Sequence, residues 1–247
     1  TLSCGPFLIL CVFTFLFLLG QNLYTSIGLF VGTHHVLGGD WDRSAFLSGW
    51  GTVRYVVFNL FMIPVFAKVS EKIGKNKCLS IASFFFLFSA VLTWYTYTPG
   101  WPYLMLVNGA FLGISFAGLW TMLPTMQTDV VDYDELKTGA RREGSFASVY
   151  SVILKLGFCA GYILFAPLLE MTGFDAALEE GQSKETLNHL RLGFVFIPVV
   201  TVALAIAILR FFPIDRSKAT EMRRTVGDRR GVRELSAHLT CSWARCG

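Results

Sequence analysis

The sequence predicts an all-α membrane protein of six transmembrane helices, and three observations carry that prediction. Of the 247 residues, 53% are hydrophobic and only 15% charged, against about 25% charged in an average soluble domain. Six stretches reach the ~20 mostly apolar residues that a helix needs to cross a ~30 Å hydrocarbon core. No ~10-residue alternation of apolar and polar residues, the mark of a membrane barrel, runs through them. Lipid offers the backbone no hydrogen-bond partners, so the spans must be helices. The same composition excludes a disordered chain, a disulfide-dense secreted module and an ordinary cytosolic enzyme.

The spans are expected at about 6–31, 45–67, 79–97, 102–126, 146–169 and 192–212. The first, with Phe15-Leu16-Phe17, has no polar face and is too long for a signal-peptide core. It has no charged region ahead of it, and the chain reads as part of a longer membrane protein. The second carries Arg54 and ends in a lysine-rich connection, Lys68, Lys72, Lys75 and Lys77. The third holds Phe84-Phe85-Phe86. The fourth runs into a segment of mixed charge, and the fifth carries Lys155. Between the fifth and sixth lies a polar connection from Gly173 to His189. After Phe212 the chain turns Arg-rich, so the division is a six-helix unit over 1–215 and a basic tail over 216–247. A short juxtamembrane helix followed by disorder is expected there.

Orientation follows from the basic residues. Lys68, Lys72, Lys75 and Lys77, then Lys137, Arg141 and Arg142, then the tail, stand against Arg43, Lys184 and Arg191 on the other side. Positive loops stay in the cytoplasm, which puts the N-terminus and the tail there in a multi-pass protein of the cell inner (plasma) membrane. Trp41, Trp50, Trp94, Trp101 and Tyr103 gather at the outer ends, where amphipathic rings anchor.

Arg54 and Lys155 lie about ten residues inside their spans, ~15 Å deep and near the midplane. A cation there costs at least ~2.5–3.5 kcal/mol unless it is paired or faces water. No span holds an Asp or Glu away from its ends. A carboxylate must therefore come from a partner or from the ligand; a hexuronate substrate meeting Arg54 is one version. Gln21, Asn22, Asn59 and Asn108 read equally as interhelical glue or as ligand contacts. Gly109-x3-Gly113 and Gly157-x3-Gly161 permit close helix approach, and Pro64, Pro124, Pro167 and Pro198 are placed to bend or end helices. The six cysteines form no C-x-x-C pair, and His34-His35 lacks a third ligand, so no metal site is expected. With no nucleophile–base pair and no phosphate loop, the chain is not an enzyme. It has no catalytic residue, no cofactor and no nucleic-acid partner.

At the cytoplasmic edge, Asp129 and Asp132 stand i,i+3 on one face if the fourth helix continues. Carboxylates opposed there to Arg141 or Arg142 would make a breakable latch, while incidental pairs in a solvated loop would contribute only ~0–1 kcal/mol each.

The ordered run Asp129-Val130-Val131-Asp132-Tyr133-Asp134-Glu135, then Lys137-Thr138-Gly139, Arg141 and Glu143-Gly144, with Lys155 eleven residues on, resembles the glycoside–pentoside–hexuronide:cation symporters. These are the melibiose-permease-like branch of the major facilitator superfamily. Gly173-Phe174 also fits. The loop from Ala67 to Lys77 is similar to the superfamily's basic loop but lacks its Asp-Arg core. The resemblance implies twelve helices in two halves with the substrate between them, this chain resembling the C-terminal half. It implies a sugar substrate, symport with a monovalent cation (Na+ or H+), alternating access, and coupling carboxylates in a missing N-terminal half. It assigns Lys155 to cation and substrate coupling. Asp129, Asp132, Glu135 and Arg141 fall to a cytoplasmic gate network. A related carrier of lysolipid or another non-sugar solute, and a non-transporting six-helix scaffold, are the alternatives.

Overall fold

A computed structural model describes residues 4–174, 182–222 and 224–227. It contains six long helices: α1 (Gly5–Phe30), α2 (Trp41–Ile73), α3 (Lys75–Thr96), α4 (Met105–Thr138), α5 (Glu143–Met171) and α6 (Lys184–Leu209). Each is long and apolar enough to cross a membrane. A π-helical stretch, Val31–Val36, prolongs α1, and a 3-10 turn, Pro102–Leu104, leads into α4.

Local chemistry sets the ends. Pro6 opens α1, where its missing N–H is no loss. Asp40 caps α2 by accepting from the Arg43 amide at 2.9 Å, and Ser183 caps α6 by accepting from Thr186 at 3.1 Å. One residue separates α2 from α3: Gly74, at φ 91°, a conformation that L side chains rarely adopt. Gly139 closes α4 in the left-handed region, its N–H bonded to the Glu135 carbonyl.

The helices extend past several of the apolar spans. Helix α2 runs from Trp41 to Ile73, α4 continues twelve residues beyond Met126 to Thr138, and α6 starts at Lys184 rather than Leu192. Hydropathy marks only the part that needs lipid, whereas backbone hydrogen bonding continues through polar residues that favour helix. Pro64, Pro124, Pro167 and Pro198 all lie inside helices, so none of them ends one.

Packing runs in the order α2–α4–α3–α6–α1–α5, with α2 and α5 at the two ends of that series. The centre is aromatic: Phe7, Phe13, Phe17, Phe86, Phe146 and Phe194 are fully buried. Phe17 packs at 5.2 Å from Phe86 and at 6.0 Å from Phe13, ring to ring. The two small-residue spacings serve the outer helices. A methyl group at Gly113 would come within 2.5 Å of the Tyr55 carbonyl on α2, and one at Gly161 within 2.4 Å of the Asn22 β-carbon on α1.

Past Asp215, residues 216–222 and 224–227 are helical. The Arg216 guanidinium donates to the Lys72 carbonyl at 2.7 Å, tying this segment to the end of α2. The disorder expected further along the tail, and residues 175–181 of the polar connection, lie outside the described residues.

Candidate functional site

Helices α1, α2 and α4 enclose an open cavity of about 640 Å³, which Tyr162 of α5 also reaches. From α2 it receives Ser44, Leu47, Ser48, Gly51, Thr52 and Tyr55, spaced at three and four residues and so on one helical face. Gln21 and Asn22 of α1 and Asn108 of α4 supply amides. Among the described residues that line it, none carries a charge.

The structure separates the polar residues that sequence leaves ambiguous. Asn59 donates to the Gly113 carbonyl at 3.5 Å, joining α2 to α4 as glue. Asn22 is buried and donates back to Leu18 on its own helix at 3.0 Å. Asn108 and Gln21 each use the amide nitrogen, on Thr96 and Thr25 respectively, but leave the amide oxygen buried without a partner.

The two deep cations are not brought together. Lys155 is exposed near the middle of α5, and Arg54 is half-buried on the flank of α2, so they sit on the helices at opposite ends of the packing series. Neither lines the cavity, and neither has an ion-pair partner among the described residues.

The basic end pairs differently from the expected latch. Asp129, 3% exposed, meets Lys75 at 2.5 Å rather than Arg141, and the same ammonium donates to the Thr125 carbonyl at 2.9 Å. The pair clamps the start of α3 onto α4. Asp132 is buried and Glu135 half-buried on α4. Arg141 is exposed and binds its neighbour Glu143 at 2.6 Å. That carboxylate raises the Arg141 pKa, and Glu135 and Asp132 add to the effect.

Sequence reasoning offers Arg142 as a partner for helix-end carboxylates but does not single out Asp134. Asp134, 6% exposed, accepts two-pronged bonds from Arg142 at 2.7 to 3.0 Å across the Gly139 turn. Acids at 132, 134 and 135 carry no signal as to which one turns toward the loop. Lys75, in sequence, is one loop cation among four.

Comparison with known proteins bears on all of this. An uncharacterised symporter of Synechocystis is 29% identical over 184 residues, 70% of this chain and 33% of its own length. The glucuronide carrier protein homolog of Escherichia coli is 26% identical over 76% of this chain and 41% of its own. The isoprimeverose transporter of Lactiplantibacillus pentosus is 23% identical over 85% and 42%. The chain thus spans a third to a half of the length of these relatives. Their names agree with the resemblance drawn from the motif that begins at Asp129. Residues 1–216 match the family described as MFS/sugar transport protein, and this multi-pass membrane chain belongs to that family.

Proposed function

We propose that these six helices act as one half of a sugar:cation symporter that works by alternating access. The observation that carries the reading is the cavity among α1, α2 and α4, which mixes apolar side chains with the amides and hydroxyls of Gln21, Asn22, Ser44, Ser48, Thr52 and Asn108 in helices otherwise built for lipid. Relatives named for a glucuronide and for isoprimeverose support a glycoside-type solute. Coupling to Na+ or H+ draws on Lys155, a cation at mid-helix on a largely uncovered face and without an ion-pair partner among the described residues. It fits a site that a carboxylate from outside these helices completes. Arg54 holds the equivalent place on α2.

The basic end supplies the gate. Asp129 and Asp134 are engaged inside the bundle, where they stiffen the ends of α3, α4 and α5. Asp132 and Glu135 add negative charge beside them, and exposed Arg141 with Glu143 faces outward, available to an opposing surface. That end is cytoplasmic by its charge.

Gradient-driven uptake of a labelled glycoside into membrane vesicles tests the reading. Lys155→Ala should reduce accumulation by on the order of tenfold or more while the protein's melting in detergent stays unchanged. Uptake at the parental level in that variant would sink the coupling role of Lys155, and no uptake by the parent protein would favour a scaffold.

A further inference from the structure

We infer that the exposed cations around the α2–α3 turn and the segment after α6 form a seat for the phosphodiester headgroup of an anionic membrane lipid. Such a lipid contact is independent of what the cavity among α1, α2 and α4 carries.

The two sides of the basic end spend their charges differently. Beside the α4–α5 turn, Arg141 is paired with Glu143 and Arg142 with Asp134, and Lys137 lies 4.7 Å over the Tyr133 ring. Around the α2–α3 turn, half-buried Lys75 is spent on Asp129. Lys68, Lys72 and Lys77, with Arg216, Lys218 and Arg224 of the segment after α6, are exposed. None of these six has an ion-pair partner among the described residues. They outnumber the exposed acids of the same two segments, Glu71, Asp215 and Glu221, by two to one.

The fold gathers these cations from opposite ends of the chain. Gly74, at φ 91°, is the single residue between α2 and α3, so Lys72 and Lys77 stand on the two arms of one sharp turn. The bond from Arg216 to the Lys72 carbonyl brings the later segment against that turn. Ala219, Met222 and Val226, spaced three and four apart, pack inward along one helical face. The apolar face of the segment is thereby spent on protein, and Lys218 and Arg224 are left outside. A cavity of about 320 Å³ opens between turn and segment, with Lys77, Arg216 and buried Phe212 and Ile214 in its lining. Glu71 and Asp215 also reach it, and Asp129 there is occupied by Lys75.

Depth selects a lipid over a free anion. The apolar runs of α2 and α6 end at Ala67 and Phe212, and that of α3 begins at Leu79. Lys68, Lys72, Lys77, Arg216 and Lys218 all fall within six residues of those limits, ~9 Å at a helical rise. Long basic side chains reach from there into the ~5–7 Å layer of headgroups that flanks the hydrocarbon. Clusters of four to eight Lys and Arg at that depth attract anionic headgroups.

The test uses the protein as its source cell makes it, purified and delipidated in detergent. Equimolar dioleoylphosphatidylglycerol and dioleoylphosphatidylcholine are the probes, and retained lipid is counted by native mass spectrometry. Phosphatidylglycerol should be retained at least about fivefold over phosphatidylcholine at low salt, with the preference shrinking as salt rises. Lys72→Gln combined with Lys77→Gln should cut that preference at least about threefold. Both side chains are exposed, so melting should not move. Arg43→Gln combined with Lys184→Gln removes the same charge from exposed sites at the other end of the bundle and should leave the preference intact. Equal retention of the two lipids, an unchanged preference in the Lys72 and Lys77 variant, or an equal loss in the Arg43 and Lys184 variant would overturn the seat. Displacement of phosphatidylglycerol by millimolar inorganic phosphate would make it a free-anion site and overturn the lipid assignment.

Discussion

Helices α1 and α5 have the same mean hydropathy over their most apolar stretches, yet 61% of that stretch is buried in α1 and only 11% in α5. Lipid tails are as apolar as leucine, so hydropathy reports where a helix can live and says nothing about which helix it touches. The difference arises from shape. Helix α1 projects Phe13 and Phe17 into a ring-packed centre shared with Phe86 and Phe116, and sets Phe7 edge-on against Phe146 at the start of α5. Helix α5 touches α1 at Gly157 and Gly161, small enough for the backbones to approach, and turns Lys155 and Ile163 outward.

This contrast can be broken by mutation. The largest effect is expected from Phe17→Ala, which empties a fully buried ring site and should cost about 3–5 kcal/mol in unfolding free energy measured in detergent. The matching truncation on the other helix, Ile163→Ala, at a residue 71% exposed, should stay within about 0.5 kcal/mol. Similar losses at both sites would mean that α5 is covered in the protein. Next comes Gly161→Leu. Its side chain would collide with Asn22, forcing α5 from α1 at about 1–3 kcal/mol, and parental stability would show that this contact is not held.

Asp129→Asn tests the basic end. It leaves the Lys75 ammonium without its carboxylate, and since Lys75 remains partly solvated the expected loss is about 1–2 kcal/mol. Smallest is Arg141→Gln. Its pair with Glu143 is exposed, so melting should not move measurably, whereas transport should change if this charge belongs to the gate. A variant that lowers stability would place Arg141 inside the structural network with Asp129 and Asp134.

Part of the candidate site is legible in the order of residues itself. Arg54 and Lys155 stand out because a full charge interrupts an apolar run, and the acidic segment from Asp129 stands out by its order. Pairing is not legible there. Asp129 and Lys75 are 54 residues apart, and nothing local links them. Asp134 is one of three acids in four positions, and its match to Arg142 depends on the turn at Gly139. Gln21 and Asn108 stand out in sequence only as polar residues in apolar spans. Whether an amide oxygen is spent depends on the proton of a neighbouring threonine.

Sequence alone determined that this chain forms six membrane helices. A spanning backbone must satisfy its own hydrogen bonds over a fixed thickness, and that requirement is written in the length and composition of each run. Tertiary structure decided the packing order, the cavity, the partners of the paired charges and the two buried amide oxygens left without a donor. These depend on which faces meet, and in lipid that choice is made by steric fit and by individual hydrogen bonds between residues far apart in the chain.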